Sequence, residues 1–168
     1  MKKNSKGFTL IELLAVIVIL AIIALIATPV ILNIIQKARK SATQDSAYSL
    51  RKAAEYDYIT TLADNGEYPG RVFECKKEYD NNGKYCKEVV VTEKTTPVAD
   101  ADKKNDYTDT YDIAQVPEGT TPVYLDLDGT NPIKGLIQIQ PDRTMTFSNV
   151  EYSGFKCTVP ASGKITCE

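Results

Sequence analysis

Residues 13–32 form an unbroken run of twenty uncharged side chains, most of them Leu, Ile, Val or Ala. A helix of that length spans about 30 Å, the thickness of a bilayer's hydrocarbon core. Lys2, Lys3 and Lys6 precede the run, as they would in a secretory signal. Such a signal has a shorter apolar core and a small-residue cleavage site at its far end. Here the core continues through Thr28-Pro29 into Val30-Ile31-Leu32-Asn33-Ile34-Ile35, so removal of the whole segment is not expected. Pro29 lacks an N–H and leaves the carbonyl of Leu25 without a helical partner, which predicts a bend or loosening there.

Glu12 lies directly against the apolar run. A carboxylate at the edge of hydrocarbon is expensive and is normally retained only when something pairs with it. No Lys or Arg occurs between Glu12 and Lys37. The expected partner is therefore a lipid headgroup, water or another subunit.

The other 168-residue averages exclude several functions. Twenty Lys and Arg against 22 Asp and Glu give a formal net charge of −2, not the basic excess of a dedicated nucleic-acid binder. There is no His and no Trp. Without His, the usual general base, the usual catalytic triads and His-containing zinc sites are all missing. The four cysteines, Cys75, Cys86, Cys157 and Cys167, all follow the apolar segment. An even number in that position reads as a disulfide framework outside the cytoplasm.

The segment Lys6-Gly7-Phe8-Thr9-Leu10-Ile11-Glu12, with the apolar stretch up to Pro29, closely resembles the class III signal of type IV pilins and type II secretion pseudopilins. A short basic leader ending in Gly, a Phe directly after it, Glu at the fifth mature position and Pro at the twenty-second coincide. The resemblance covers roughly the first 60 residues. It implies cleavage by a membrane prepilin peptidase between Gly7 and Phe8, and methylation of the new Phe8 amine. Losing the three leader lysines moves the formal charge from −2 to −5. It also implies assembly roles for Phe8, Glu12 and Pro29. The Glu12 carboxylate of one subunit would face the Phe8 ammonium of a neighbour in a filament. Two charges costly alone in an apolar environment recover part of that cost as a pair, so the contact would set axial register.

Past the membrane segment the sequence still reads as helix to about Leu62. Ile35, Ala38, Ala42, Leu50, Ala53 and Ala54 form an irregular apolar stripe, and Lys37, Arg39, Lys40, Arg51 and Lys52 supply a wet face. Asp64-Asn65-Gly66 and Pro69-Gly70 mark its end. Lys37, Arg39 and Lys40 balance the leader lysines, so charge counting does not orient the chain; the cysteines and the leader place the N-terminus inside. Asp80-Asn81-Asn82-Gly83 is a turn between Cys75 and Cys86, and residues 88–92 form a short strand. Residues 93–122 carry Asp100, Asp102, Lys103, Lys104, Asp106, Asp109 and Asp112 among Thr and Pro, and read as a surface loop. They lack the Gly and terminal Glu of a calcium hand loop. From Pro122 onward an antiparallel sheet is expected, with strands over 123–127, 135–139 and 144–151, then a hairpin of 155–159 and 165–167. Of three possible cysteine pairings, Cys75–Cys86 and Cys157–Cys167 are preferred because both close short loops across turns; the other two stay open. The second bridge would hold the C-terminus to the sheet, as a C-terminal disulfide does in many pilins.

One string imitates an enzyme. Val123-Tyr124-Leu125-Asp126-Leu127-Asp128-Gly129-Thr130 looks like the first motif of haloacid dehalogenase-like phosphatases, with Asp126 as nucleophile and Asp128 as acid/base. After Asp128 the only Asp is Asp142, and 38 residues follow Thr130. That is too little for a second acidic pair and a parallel sheet, so a plain Asp-Gly turn is expected. No catalytic residue, metal ligand or cofactor is assigned.

The expected fold class is α+β, pilin-like: a long N-terminal helix, membrane-spanning in its first half and packed in its second half on a small antiparallel sheet. The expected divisions are a leader (1–7), a transmembrane and filament-core helix (8–35), an amphipathic helix (36–63) and a disulfide-stapled head (64–168). The implied partners are other copies in a helical homopolymer, a prepilin peptidase/methyltransferase, a membrane assembly platform, minor pilins and, before assembly, the bilayer. The implied location is the cytoplasmic membrane, then an extracellular pilus. The alternatives are a pseudopilin of a secretion or competence machine, and a membrane-anchored extracellular binding module.

Overall fold

The computed structural model describes residues 7–79, 85–93 and 107–168. One helix, α1, spans Leu10–Asn65. It runs through Pro29 with no break, and the Thr28 hydroxyl donates to the Ala24 carbonyl at 2.6 Å in the turn just before the proline. The chain divides into two compact units, residues 1–39 and 40–168. In the first, every described residue except Ala27 is exposed. This part of the helix is long and apolar enough to cross a membrane.

The second unit is a helix on a sheet. Seven strands, β1 (Arg71–Lys76), β2 (Cys86–Glu93), β3 (Tyr111–Gln115), β4 (Lys134–Ile139), β5 (Met145–Tyr152), β6 (Phe155–Thr158) and β7 (Thr166–Cys167), form one sheet in the order β3-β2-β1-β4-β5-β6-β7. Every pairing is antiparallel. Ala47, Leu50, Ala53 and Ala54 of α1 are buried at near-helical spacing on one face. They share a core with Phe73, Cys75, Ile137, Ile139, Tyr152 and Ile165. Three alanines in that set let the backbone of α1 come close to the sheet, and Leu50 and Phe73 fill the space, both fully buried. Full burial of side chains of this size is worth about 2–3 kcal/mol each. The long helix packed on a small antiparallel sheet is the pilin-like α+β architecture that the sequence indicates.

Three local expectations are corrected. The 93–122 loop contains a strand: Tyr111–Gln115 pairs with β2 from Val89↔Gln115 to Glu93↔Tyr111. Its alternating Tyr111 and Ile113 join Val72, Val91, Val89 and Leu136 in a second apolar cluster on the other side of the sheet, a non-local gain that a polar-looking segment hides. Conversely, residues 123–127 are not a full strand. They make one bridge, Lys87↔Tyr124, with Glu88 N–H donating to the Val123 carbonyl and Leu125 N–H to the Cys86 carbonyl. The β2 edge is taken by β3 from Val89 onward, so only its first residues remain for this segment. Finally, the predicted apolar stripe is buried only at Leu50, Ala53 and Ala54, whereas Ile35, Ala38 and Ala42 are exposed. The Asp80–Gly83 turn and Asp100, Asp102, Lys103, Lys104 and Asp106 lie outside the described residues.

Candidate processing and assembly sites

At the N-terminal end, Gly7 and Phe8 are exposed, Phe8 at 91%, and α1 starts two residues beyond Phe8. Thr9 is the N-cap. The Glu12 carboxylate accepts from the Thr9 backbone N–H at 2.8 Å and from the Thr9 hydroxyl at 2.7 Å, and the Glu12 N–H donates to the Thr9 hydroxyl oxygen at 3.3 Å. This is a capping box: residues at N-cap and N3 satisfy each other's donors, with the carboxylate near the positive end of the helix dipole. Glu12 therefore has a partner within its own chain, where the sequence reading expected only lipid, water or another subunit. The signal was present as Thr-x-x-Glu before an apolar run. A search for an ion-pair partner passes over it because the partner is neutral.

In the second unit the sheet brings Cys75 to Cys86 and Cys157 to Cys167 as disulfides. Each bridge joins residues directly opposite on neighbouring strands, β1–β2 and β6–β7. The flanking hydrogen bonds, Lys76 N–H to the Tyr85 carbonyl and the reciprocal pair between Lys156 and Glu168, put both cystines at non-hydrogen-bonded positions, where side chains approach most closely. Closing loops of 11 and 10 residues contributes about 2–3 kcal/mol apiece by restricting the unfolded chain.

An ionic lock joins helix to sheet. Asp57 on α1 accepts from the Arg71 guanidinium at 2.7 Å and from the Tyr68 hydroxyl at 2.8 Å. Arg71 also donates to the Thr61 hydroxyl at 2.9 Å and faces Glu88 at 3.5 Å. Desolvation, then the hydrogen bond to the Asp57 carboxylate, push the Tyr68 hydroxyl well above its ordinary pKa. On the opposite sheet face Glu74 is fully buried, paired with Lys76 at 2.8 Å and accepting from the Tyr79 hydroxyl. Burial and that bond raise Tyr79 to about 12. Arg51, read from the sequence as part of the wet face, instead donates to the Pro160 and Gly163 carbonyls at 3.3 and 2.9 Å. The Asp57 and Arg51 partnerships have no sequence signal, because each spans a chain separation set by the fold, whereas Glu74 and Lys76 sit two apart on one face of β1.

The phosphatase-like string forms one wall of a groove of about 1100 Å³ against α1, lined among others by Asp45, Tyr48, Lys52, Tyr56, Asp126 and Asp128. Two helix hydroxyls hold the loop: Ser49 Oγ accepts from Asp128 N–H at 2.8 Å and Ser46 Oγ from Thr130 N–H at 3.2 Å. Gly129 has φ +98°, and a Cβ there would lie 3.2 Å from Ser46 Oγ. Close approach and a left-handed turn both account for the glycine. Among the described residues no group of three or more His, Cys, Asp or Glu is placed to hold a metal ion.

The motif and the α+β head define a pilin-like or pseudopilin-like structural subunit, and the arrangement is consistent with a non-enzymatic protein. Residues 2–28 match the family model described as the prokaryotic N-terminal methylation motif, the signal typical of prepilins and pseudopilins. It implies processing by the peptidase and methyltransferase system that serves such chains. No curated protein and no solved structure matches the chain. The single apolar helix fits a membrane-anchored precursor.

Proposed function

We propose that this chain is the precursor of a type IV pilus subunit. The leader 1–7 is removed between Gly7 and Phe8, the Phe8 amine is methylated, and the mature chain polymerises through its apolar helix into a filament serving adhesion, twitching motility or surface colonisation. The observation that supports this most directly is the methylation motif at residues 2–28, continued by a helix whose apolar side chains are exposed among the described residues of its unit. Burying that surface against other copies supplies the cohesion. Glu12 exchanges the Thr9 cap for the Phe8 ammonium of a neighbour, and the disulfided head faces the exterior. A membrane assembly platform and minor pilins complete the machinery. A pseudopilin of a secretion or competence machine uses the same physics in a shorter fibre.

Mass spectrometry of the N-terminal peptide from cells tests the processing step: a chain beginning at N-methylated Phe8 is expected, and one beginning at Met1 in a host with active prepilin peptidase overturns the reading. Long sheared filaments distinguish the pilus from the pseudopilus. Glu12→Gln should be processed normally yet lose filaments, with monomer retained in the membrane. Normal filament yield from that variant would remove the pairing role.

A further inference from the structure

The groove between α1 and residues 126–130 is unused by the roles assigned above. We propose that it is a docking site for a second copy of this chain, whose basic run Lys37, Arg39 and Lys40 enters between Asp45 and Asp128. The inference rests on the filament reading and specifies one of its contacts.

Opposite charges stand unpaired on α1 and on the loop beside it. Lys37, Arg39 and Lys40 are exposed, as are Asp45 and Asp128, and none of the five forms an ion pair among the described residues. Helical neighbours meet at i+3 and i+4. From the three basic residues those positions hold Lys40, Ser41, Ala42, Thr43 and Gln44, and from Asp45 they hold Ser41, Ala42, Tyr48 and Ser49. The sequence therefore denies each charge an opposite partner on its own helix, in either direction.

The groove also has the form of a helix seat. Asp45, Ser49, Lys52 and Tyr56 line it and follow one another at spacings of four, three and four residues, the seam one helix presents to another. Tyr56 and Ile59 are more than half exposed. The loop carrying Asp126 and Asp128 forms the side wall, held by Ser46 and Ser49.

The axial arithmetic agrees. Pairing Phe8 of one copy with Glu12 of another shifts the two chains by four residues, about 6 Å along a helix. The same shift carries residues 37–40 of the second copy to the level of 41–44 of the first, one residue short of Asp45. Long basic side chains span that remainder, so the opposed charges are compatible with this stagger.

The test is the yield of sheared filaments from cells producing full-length chain. Lys37→Glu with Arg39→Glu and Lys40→Glu, and separately Asp45→Lys with Asp128→Lys, should each lower the yield about tenfold, and the combined set should recover most of it. Asp45→Asn with Asp128→Asn, a milder change, should give an intermediate loss with the head still protease-resistant. Full yield from either reversed set alone overturns the docking and leaves the filament reading intact. Losses that the combined set does not repair assign the basic run to lipid headgroups and overturn it equally. Absence of filaments from the unsubstituted chain removes the filament reading, and the docking with it.

Discussion

The two parts of α1 solve opposite problems with the same backbone. In residues 10–35 apolar side chains surround the helix and almost all are exposed, Leu25 at 79%. In residues 46–61 only one face is buried, and it is made of Ala47, Leu50, Ala53 and Ala54 with Ser46 and Thr61 at its margins. A helix that is apolar all round needs a partner everywhere, lipid or protein, whereas an amphipathic one needs a single surface. The head supplies that surface within the chain. For the first part nothing within its own unit does, so its stability depends on its surroundings and the head's does not.

This contrast can be broken from either side. The largest effect is expected in the head: Phe73→Ala removes a fully buried ring and should destabilise it by about 4 kcal/mol, read by urea denaturation, with membrane association unchanged. Next is Ile19→Arg, which places a cation at mid-span and should oppose insertion by about 3 kcal/mol. Fractionation should show the chain leaving the membrane while the disulfides still form wherever the head reaches an oxidising compartment. Asp57→Ala strands the Tyr68 hydroxyl at the helix–sheet boundary and takes one of Arg71's two carboxylate partners, and should cost the head about 2 kcal/mol, read by the same denaturation.

The smallest effect is a pH dependence confined to the head. Tyr79 is raised from its ordinary 10 to about 12, by burial first and its bond to Glu74 second. A group whose pKa is higher in the folded state contributes fully below the unfolded pKa and loses that contribution as pH rises through the folded one. Head stability should therefore decline between about pH 10 and 12, with tyrosinate absorbance rising in the same window. Tyr79→Phe removes the hydroxyl and should make that decline shallower, with the raised Tyr68 and Tyr152 hydroxyls supplying the remainder; an unchanged alkaline profile would show that Tyr79 contributes nothing to it.

Legibility in the sequence followed the range of the interactions. Strands β4 and β5 and the last hairpin were readable because alternation and Asp, Gly and Pro turns are local. The helix, including its end near Asn65, was readable because its periodicity and its stop signals lie within a few residues. Strand β3 was missed because Tyr111 and Ile113 become core only when Val72, Val89 and Leu136 arrive from distant segments. Residues 123–127 alternate as a strand does, but the edge they need is occupied by β3, so they form a single bridge. Arg51 reads as part of a wet face because its carbonyl partners at 160 and 163 lie over a hundred residues away.

By itself, then, the sequence determined the apolar helix and its methylation motif, since each is one continuous stretch of chain, and the Thr9–Glu12 cap, which depends on spacing within one turn. Only the tertiary structure decided which helix face is buried, which carboxylates are locked to Arg71, and that Asp126 and Asp128 line a groove beside Asp45. Those outcomes depend on which distant residues share a surface, and that is settled by the summed burial of the whole sheet rather than by any local pattern.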